Sequence, residues 1–237
     1  MDDQLTILGV SDSTYLPFIR VLFNSIKCNV KVPYKFHLHT INVPDKKLPF
    51  FKDTYKNIEF TGDKIELDET ADPSNAFKKS KKASYCANIR AKVMHYLMTR
   101  GDKYILYLDA DSVVRKDFNL LLDLIKQNDL TIHRRKHIPY DTHKVLTSVI
   151  GINNNKNSLS FLEMWKDLML ADSNLYKWFS DQLYFYETMK KKENVKVGHL
   201  PIEYVDWSFN DISYVWNGKS SRKKTHKIYL KEMEKYK

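Results

Sequence analysis

Two aspartates separated by one residue, Asp109 and Asp111, close the apolar run Tyr104-Ile105-Leu106-Tyr107-Leu108. A near-continuous apolar run of this length reads as a strand covered on both faces. Side chains alternate along a strand, so Asp109 and Asp111 point to one side and Ala110 to the other. Ligands of open α/β sheets bind beyond the carboxyl ends of the strands. Two carboxylates at such an end offer hard oxygens to Mn²⁺ or Mg²⁺, and substrate phosphates usually complete that kind of site. A cation held there neutralises a diphosphate and stabilises it as a leaving group. The plainer reading has one aspartate capping the next turn and the other solvated. The apolar strand before the pair and Val113-Val114 after it favour the metal.

The elements that would position this pair follow from hydrophobic periodicity. Residues 5–10 form a compact apolar strand ending at Ser11-Asp12-Ser13, followed by a helical pattern through Phe18, Val21, Leu22, Ser25 and Ile26. Residues 34–43 alternate as a second strand and 57–61 as a third. Residues 71–84 are polar and Lys-rich, which predicts a mobile loop. Ser84 is placed to cap a helix whose stripe of Cys86, Ile89, Val93, Tyr96, Leu97 and Arg100 ends at Gly101. Beyond the acidic pair, helices are predicted over 118–125, 158–170 and 181–190, and strands over 130–133, 145–152, 195–200 and 214–216. A basic helical tail follows. Strands alternating with helices predict a mainly parallel, three-layer α/β domain.

The chain has 237 residues, room for one domain with a sizeable core, and 43% of them are apolar. No repeat or Pro/Gly-rich break divides it, so a single domain over 1–237 is expected. No run reaches the ~18 apolar residues of a membrane span. The start Met1-Asp2-Asp3-Gln4 lacks the basic and apolar regions of a signal peptide. Cys28 and Cys86 make neither a disulfide framework nor a zinc site. A cytoplasmic protein is the expectation. The net charge of +10 favours an anionic partner. The lysine runs around Lys78–Lys82 and Lys190–Lys192, and between Lys219 and Lys227, read mostly as solvated.

The segment Tyr107-Leu108-Asp109-Ala110-Asp111-Ser112-Val113-Val114 resembles the D-x-D segment of A-type (GT-A) glycosyltransferases, especially family 8, the glycogenin and lipopolysaccharide-galactosyltransferase group. The resemblance implies a GT-A-like α/β/α sandwich. It also implies a UDP-sugar donor, a glycan or protein acceptor, Mn²⁺ dependence and transfer with retention. The nucleotide-binding half would lie over about 1–112, with the acceptor half and a phosphate clamp over 113–237. On the residues, it implies that Ser11 and Asp12 contact the nucleoside. It places Lys92, with Arg90 as the nearby alternative, facing the nucleotide. Asp181 and Gln182 resemble the family's Asp-Gln pair beside the transferred sugar, and Asp181 also suits a helix N-cap. Residues 145–153 resemble the acceptor-side strand, with Leu146-Thr147-Ser148 replacing Asn-Ala-Gly and Asn153 matching. The late segment Val215-Trp216-Asn217-Gly218-Lys219-Ser220-Ser221-Arg222-Lys223 resembles the phosphate loop, with Asn217 where a histidine ligand is expected. Gly218 would let the backbone approach a phosphate, and Lys219 and Arg222 would close over it. Little in this segment's composition offers burial, so it is expected to order only on ligand binding.

Two rival readings stand beside this one. Asp109-Ala110-Asp111-Ser112-Val113-Val114 also satisfies the nucleophile pattern of haloacid-dehalogenase phosphatases, with Asp109 as nucleophile. That motif normally lies near the N-terminus with a late acidic pair, and neither condition holds here. A basic nucleic-acid-binding module should interleave aromatics with its basic runs. The chain's 15 tyrosines do not do so, apart from Tyr229 and Tyr236.

Overall fold

A computed structural model describes residues 4–66 and 79–237. The sheet that carries the site is built outward from β1 (Leu5–Asp12) and β4 (Tyr104–Leu108). Every residue of β4 is buried, as a strand covered on both faces must be. β2 (Tyr34–Ile41) and β3 (Ile58–Asp63) extend one edge, while β7 (Val145–Asn153), β6 (Leu130–Arg134) and β8 (Val197–His199) extend the other. Among the described residues the sheet has seven strands in the order β3-β2-β1-β4-β7-β6-β8. Only β7 runs against the rest, pairing antiparallel with both β4 and β6. This is the mixed α/β fold with a mostly parallel sheet that the periodicity predicts.

Helices cover both faces. α1 (Leu16–Asn29), α2 (Pro49–Thr54) and α5 (Asn119–Gln127) pack on one, around Phe23, Phe51 and Leu121. α3 (Lys81–Asn88), α4 (Arg90–Thr99), α6 (Lys156–Leu170) and α7 (Ser180–Lys191) pack on the other, around Met94, Phe161, Trp165 and Phe185. A short strand, β5 (Ser112–Val114), follows the acidic pair directly and pairs antiparallel with β9 (Val215–Asn217). That two-stranded sheet brings the C-terminal segment onto the acidic turn.

Several local expectations change. Ser80, not Ser84, caps α3: its side chain accepts from the Ala83 N–H, while Ser84 is buried in the core. Part of the expected loop is therefore helical, and residues 71–78 of it, Lys78 included, lie outside the described residues. The single helix expected up to Gly101 is two, divided at Ile89, and beside the break the Arg90 Nε donates to the Ala87 carbonyl. Tyr96, expected to face inward, is 45% exposed. The C-terminal segment is packed against the protein. Val113, Trp216, Tyr229 and Met233 form a small core of their own, to which α8 (Arg222–Thr225) and α9 (Lys227–Glu234) attach. Composition alone hid this, because the apolar partners are far apart in sequence.

Candidate active site

Asp109 leaves β4 at its carboxyl end, its N–H bonded to the Ser148 carbonyl of β7 at 2.9 Å. Tyr107 Oη donates to Asp109 Oδ1 at 2.8 Å, and Arg90 Nη1 lies 3.2 Å from the same oxygen. Arg90 is 4% exposed and stacks over the Tyr107 ring at 4.4 Å. Its Nη1 also donates to the Thr147 carbonyl and lies 3.8 Å from Asp181 Oδ2. Burial pushes the Asp109 carboxyl up; Arg90 opposes this, and the neighbouring Asp111 adds to it.

Asp111 is fixed from the C-terminal segment. Lys223 Nζ lies 2.5 Å from its Oδ2 and 4.7 Å from the centre of the Tyr15 ring. The Asp111 carbonyl accepts from Tyr229 Oη at 2.6 Å and from the Gly218 N–H at 2.9 Å. Burial opposes the Lys223 charge, but Asp111 holds its ammonium above the usual range.

Asn217, opposite Ser112 in the β5–β9 pair, is 4% exposed. Its Oδ1 accepts from Ser112 Oγ at 2.9 Å, leaving Nδ2 buried without a partner among the described residues. A half-turn of the amide lets Nδ2 donate to Ser112 instead and presents the oxygen. The chemistry of this donor set therefore fits a hard divalent cation: two carboxylates and one amide oxygen, all bordering one cavity. Among the described residues, no group of three or more His, Cys, Asp and Glu side chains could hold a metal.

Two cavities meet at this point. One, of about 300 Å³, is lined by Ser11, Asp12, Ser80, Lys82 and Cys86; the other, of about 510 Å³, by His143, Thr147, Ser148, Gln182, Trp207 and Lys219. Asp109, Asp111, Arg90, Tyr15, Lys223 and Trp178 border both. Phe179 (φ 67°) and Ser220 (φ 59°), which line the larger one, hold the left-handed backbone conformation that non-glycine residues rarely adopt. Strain of this kind concentrates at functional sites.

The structure brings most of the sequence-selected residues to this cleft, in altered parts. Ser11, Asp12, Ala110, Asp181, Gln182, Gly218 and Lys219 border it or pack against it. Asp12 Oδ1 accepts from the Thr14 and Tyr15 N–H groups, closing the turn into α1, so only its other oxygen faces outward, toward Lys82. Asp181 is 3% exposed and bonded by Thr147 Oγ1, while the buried Gln182 Oε1 has no partner among the described residues. Lys92 is not at the site: it pairs with Asp63 at 3.5 Å, and Arg90, the first residue of α4, is the buried one instead. Arg222 is exposed on α8 and borders neither cavity; Lys223, one residue on, is the basic side chain that reaches Asp111. Gly218 is needed for a different close approach: a Cβ there would lie 2.7 Å from Tyr229 Oη and 2.7 Å from Lys223 Cβ. Asn153 bonds the Lys126 carbonyl and pairs with Tyr104, at the far end of β4 from the cleft. Arg90 and Lys223 were both visible in sequence as basic residues. Choosing them needed the helix break and the packing of α8, which no periodicity shows.

A mostly parallel α/β sheet carrying a D-x-D turn at the carboxyl end of a central strand, beside a two-part cleft, defines the A-type glycosyltransferase class. The chain belongs to glycosyl transferase family 8, whose match spans residues 6–229. The family match favours the glycosyltransferase reading over the phosphatase and nucleic-acid ones. No curated protein matches the chain. Among solved structures, it resembles the glycosyltransferase GlyE of Streptococcus pneumoniae TIGR4 at 14% identity and a TM-score of 0.63, over 96% of this chain and 59% of that one. The chain thus spans about three fifths of GlyE. An active-site mutant of LgtC aligns at 12% identity and a TM-score of 0.63, over 97% of this chain and 95% of that one. Mouse xyloside xylosyltransferase 1 aligns at 11% identity and a TM-score of 0.55, over 92% and 99%. Likeness at these identities concerns the fold.

Proposed function

We propose that the chain transfers a sugar from a UDP-sugar to an acceptor hydroxyl with retention, using Mn²⁺ or Mg²⁺ at Asp109, Asp111 and Asn217. The observation that supports this reading is the meeting of two cavities at Asp109 and Asp111; the smaller would take the nucleoside and the larger the sugars. The solution of galactosyltransferase LgtC with donor and acceptor sugar analogues is consistent with a cleft of two parts.

Ser11 and the outward oxygen of Asp12 would contact the nucleoside. A divalent cation on the acidic pair would supply positive charge to the diphosphate. Lys223, set between Asp111 and Tyr15, would offer its ammonium to the phosphates. Arg90 holds Asp109 and Asp181 in place and adds positive potential beneath the reacting carbon. Gln182 Oε1, buried and unpartnered, is the group free to orient the sugar, and Asp181 positions it. Catalysis would be mostly electrostatic support of the departing diphosphate, together with positioning. One transferase domain over 1–237 suits this, with the nucleoside side built from residues 1–112 and the β5–β9 sheet fastening the remainder over it.

The test is release of UDP from UDP-glucose and UDP-galactose with Mn²⁺, followed by NMR. Asp111→Asn and Gln182→Ala should each lower kcat by about 100-fold or more with the fold intact, in the range of losing one preorganised electrostatic contact. Turnover at the wild-type rate by both variants would refute these roles.

A further inference from the structure

A third cavity, of about 710 Å³, opens between α1, α2 and α9 and shares only Lys223 with the two that form the cleft. Its floor is apolar: Leu16 and Val21 of α1, Phe51 of α2 and Met233 of α9 all line it and are buried. Phe50 lines it too and is 43% exposed. The charged side chains around that floor are all cations. Arg20 comes from α1, Lys47 from the turn before α2, Lys224 from α8 and Lys237 from beyond α9, and no Asp or Glu is among the described lining residues. Lys223 is paired with Asp111, and Lys237 with Glu234. Arg20, Lys47 and Lys224 are exposed and make no ion pair with a described carboxylate; the Arg20 guanidinium rests 4.9 Å from the centre of the Phe50 ring.

An apolar floor ringed by unpaired cations suits a partner whose apolar groups enter while its anions stay at the rim. The three free cations come from three different elements, so several anions spread along a segment match them better than one headgroup does. The floor is recessed, and it takes side chains inserted between the helices; a lipid surface would instead meet protruding ones. An amphipathic helix laid into an interhelical groove meets both conditions. We propose that this groove docks an amphipathic, acidic segment of a protein partner. Its apolar side chains, at helical spacing, pack on Leu16, Val21, Phe51 and Met233, and its Asp and Glu side chains face Arg20, Lys47 and Lys224. The inference stands apart from the donor reading. It places the partner next to the acidic pair, because Lys223 lines the groove and the cleft alike.

The experiment is fluorescence anisotropy on the full chain with three labelled helical peptides. One carries a leucine stripe flanked by glutamates, one the same stripe flanked by lysines, and one the glutamates with serines replacing the stripe. The first should bind at least about tenfold more tightly than either of the others. Its binding should weaken at high salt, since part of it is electrostatic. Arg20→Gln with Lys47→Gln, and separately Phe50→Ser, should each weaken it by about tenfold, with the fold intact by circular dichroism. Lys190→Gln with Lys191→Gln removes as much charge from the exposed end of α7 and should change nothing. No binding of the acidic leucine peptide would overturn the proposal. Equal binding of the serine peptide, or an equal loss from the α7 pair, would also overturn it, because either would mean mere attraction to a basic protein. So would binding to phosphatidylserine vesicles, lost in the groove variants, by a chain that ignores all three peptides: the face would then be lipid-binding.

Discussion

At the residue scale, the guanidinium of Arg90 lies buried between Asp109 and Asp181 and over the Tyr107 ring. Removing one partner of a buried ionic cluster strands the others, at a cost of about 3–5 kcal/mol. Arg90→Ala should therefore lower unfolding free energy by about that amount in urea denaturation. A loss within the ordinary surface range of ~0.5 kcal/mol would mean that the carboxylates do not depend on it. Asp109 and Asp111 were legible in sequence because strand alternation alone puts them on one side of an apolar strand. Arg90 was legible only as the second choice to Lys92. A single unbroken helix was expected there, and the structure divides it at Ile89, directly before Arg90.

At the scale of elements, two glycines mark where backbone must approach closely. A Cβ on Gly151 of β7 would lie 2.5 Å from Ile125 Cγ1, so α5 sits directly on that strand. Gly151→Ala should destabilise the fold by about 1–3 kcal/mol, as overpacking does, and leave UDP affinity unchanged. Gly218→Ala, which would displace Tyr229 from the Asp111 carbonyl, should instead weaken UDP binding with Mn²⁺. Equal effects of the two substitutions on UDP affinity would contradict this assignment. The β2–β3 edge carries a pH dependence. Burial, with help from Arg100, pushes the His37 pKa down to about 4, while Glu59 pulls the other way and His39 adds its own repulsion. The unfolded chain takes up this proton near pH ~6.5, so it binds more protons than the native state below that value. Stability should fall as pH drops from ~6.5 toward about 4, and His37→Asn should flatten that slope in urea midpoints. An unchanged slope would show that His37 is not its source. Most strands and helices were legible because they repeat with periods of two or 3.6 residues. β5 was not: its three residues are too few to show a period, and only pairing with β9 makes it a strand.

At the scale of the whole molecule, the charge of +10 is not spread as solvent-facing lysine alone. Lys223 is in the cleft on Asp111. Composition reported an anionic partner without saying where it binds, since burial of a lysine depends on residues distant in sequence. The family match over residues 6–229 and the sheet order agree with the sequence's own alternation of strands and helices. Among the described residues no helix is long and apolar enough to cross a membrane. The central claim is a metal-assisted UDP site on the acidic pair. A thermal-shift series of UDP, GDP and ADP, each with and without Mn²⁺, tests it most directly, because a ligand raises the stability of the state it binds. UDP with Mn²⁺ should stabilise the wild type most, UDP alone less, and Asp111→Asn should erase the difference that Mn²⁺ makes. Stabilisation by UDP that is indifferent to Mn²⁺, or that survives unchanged in Asp111→Asn, would contradict the account.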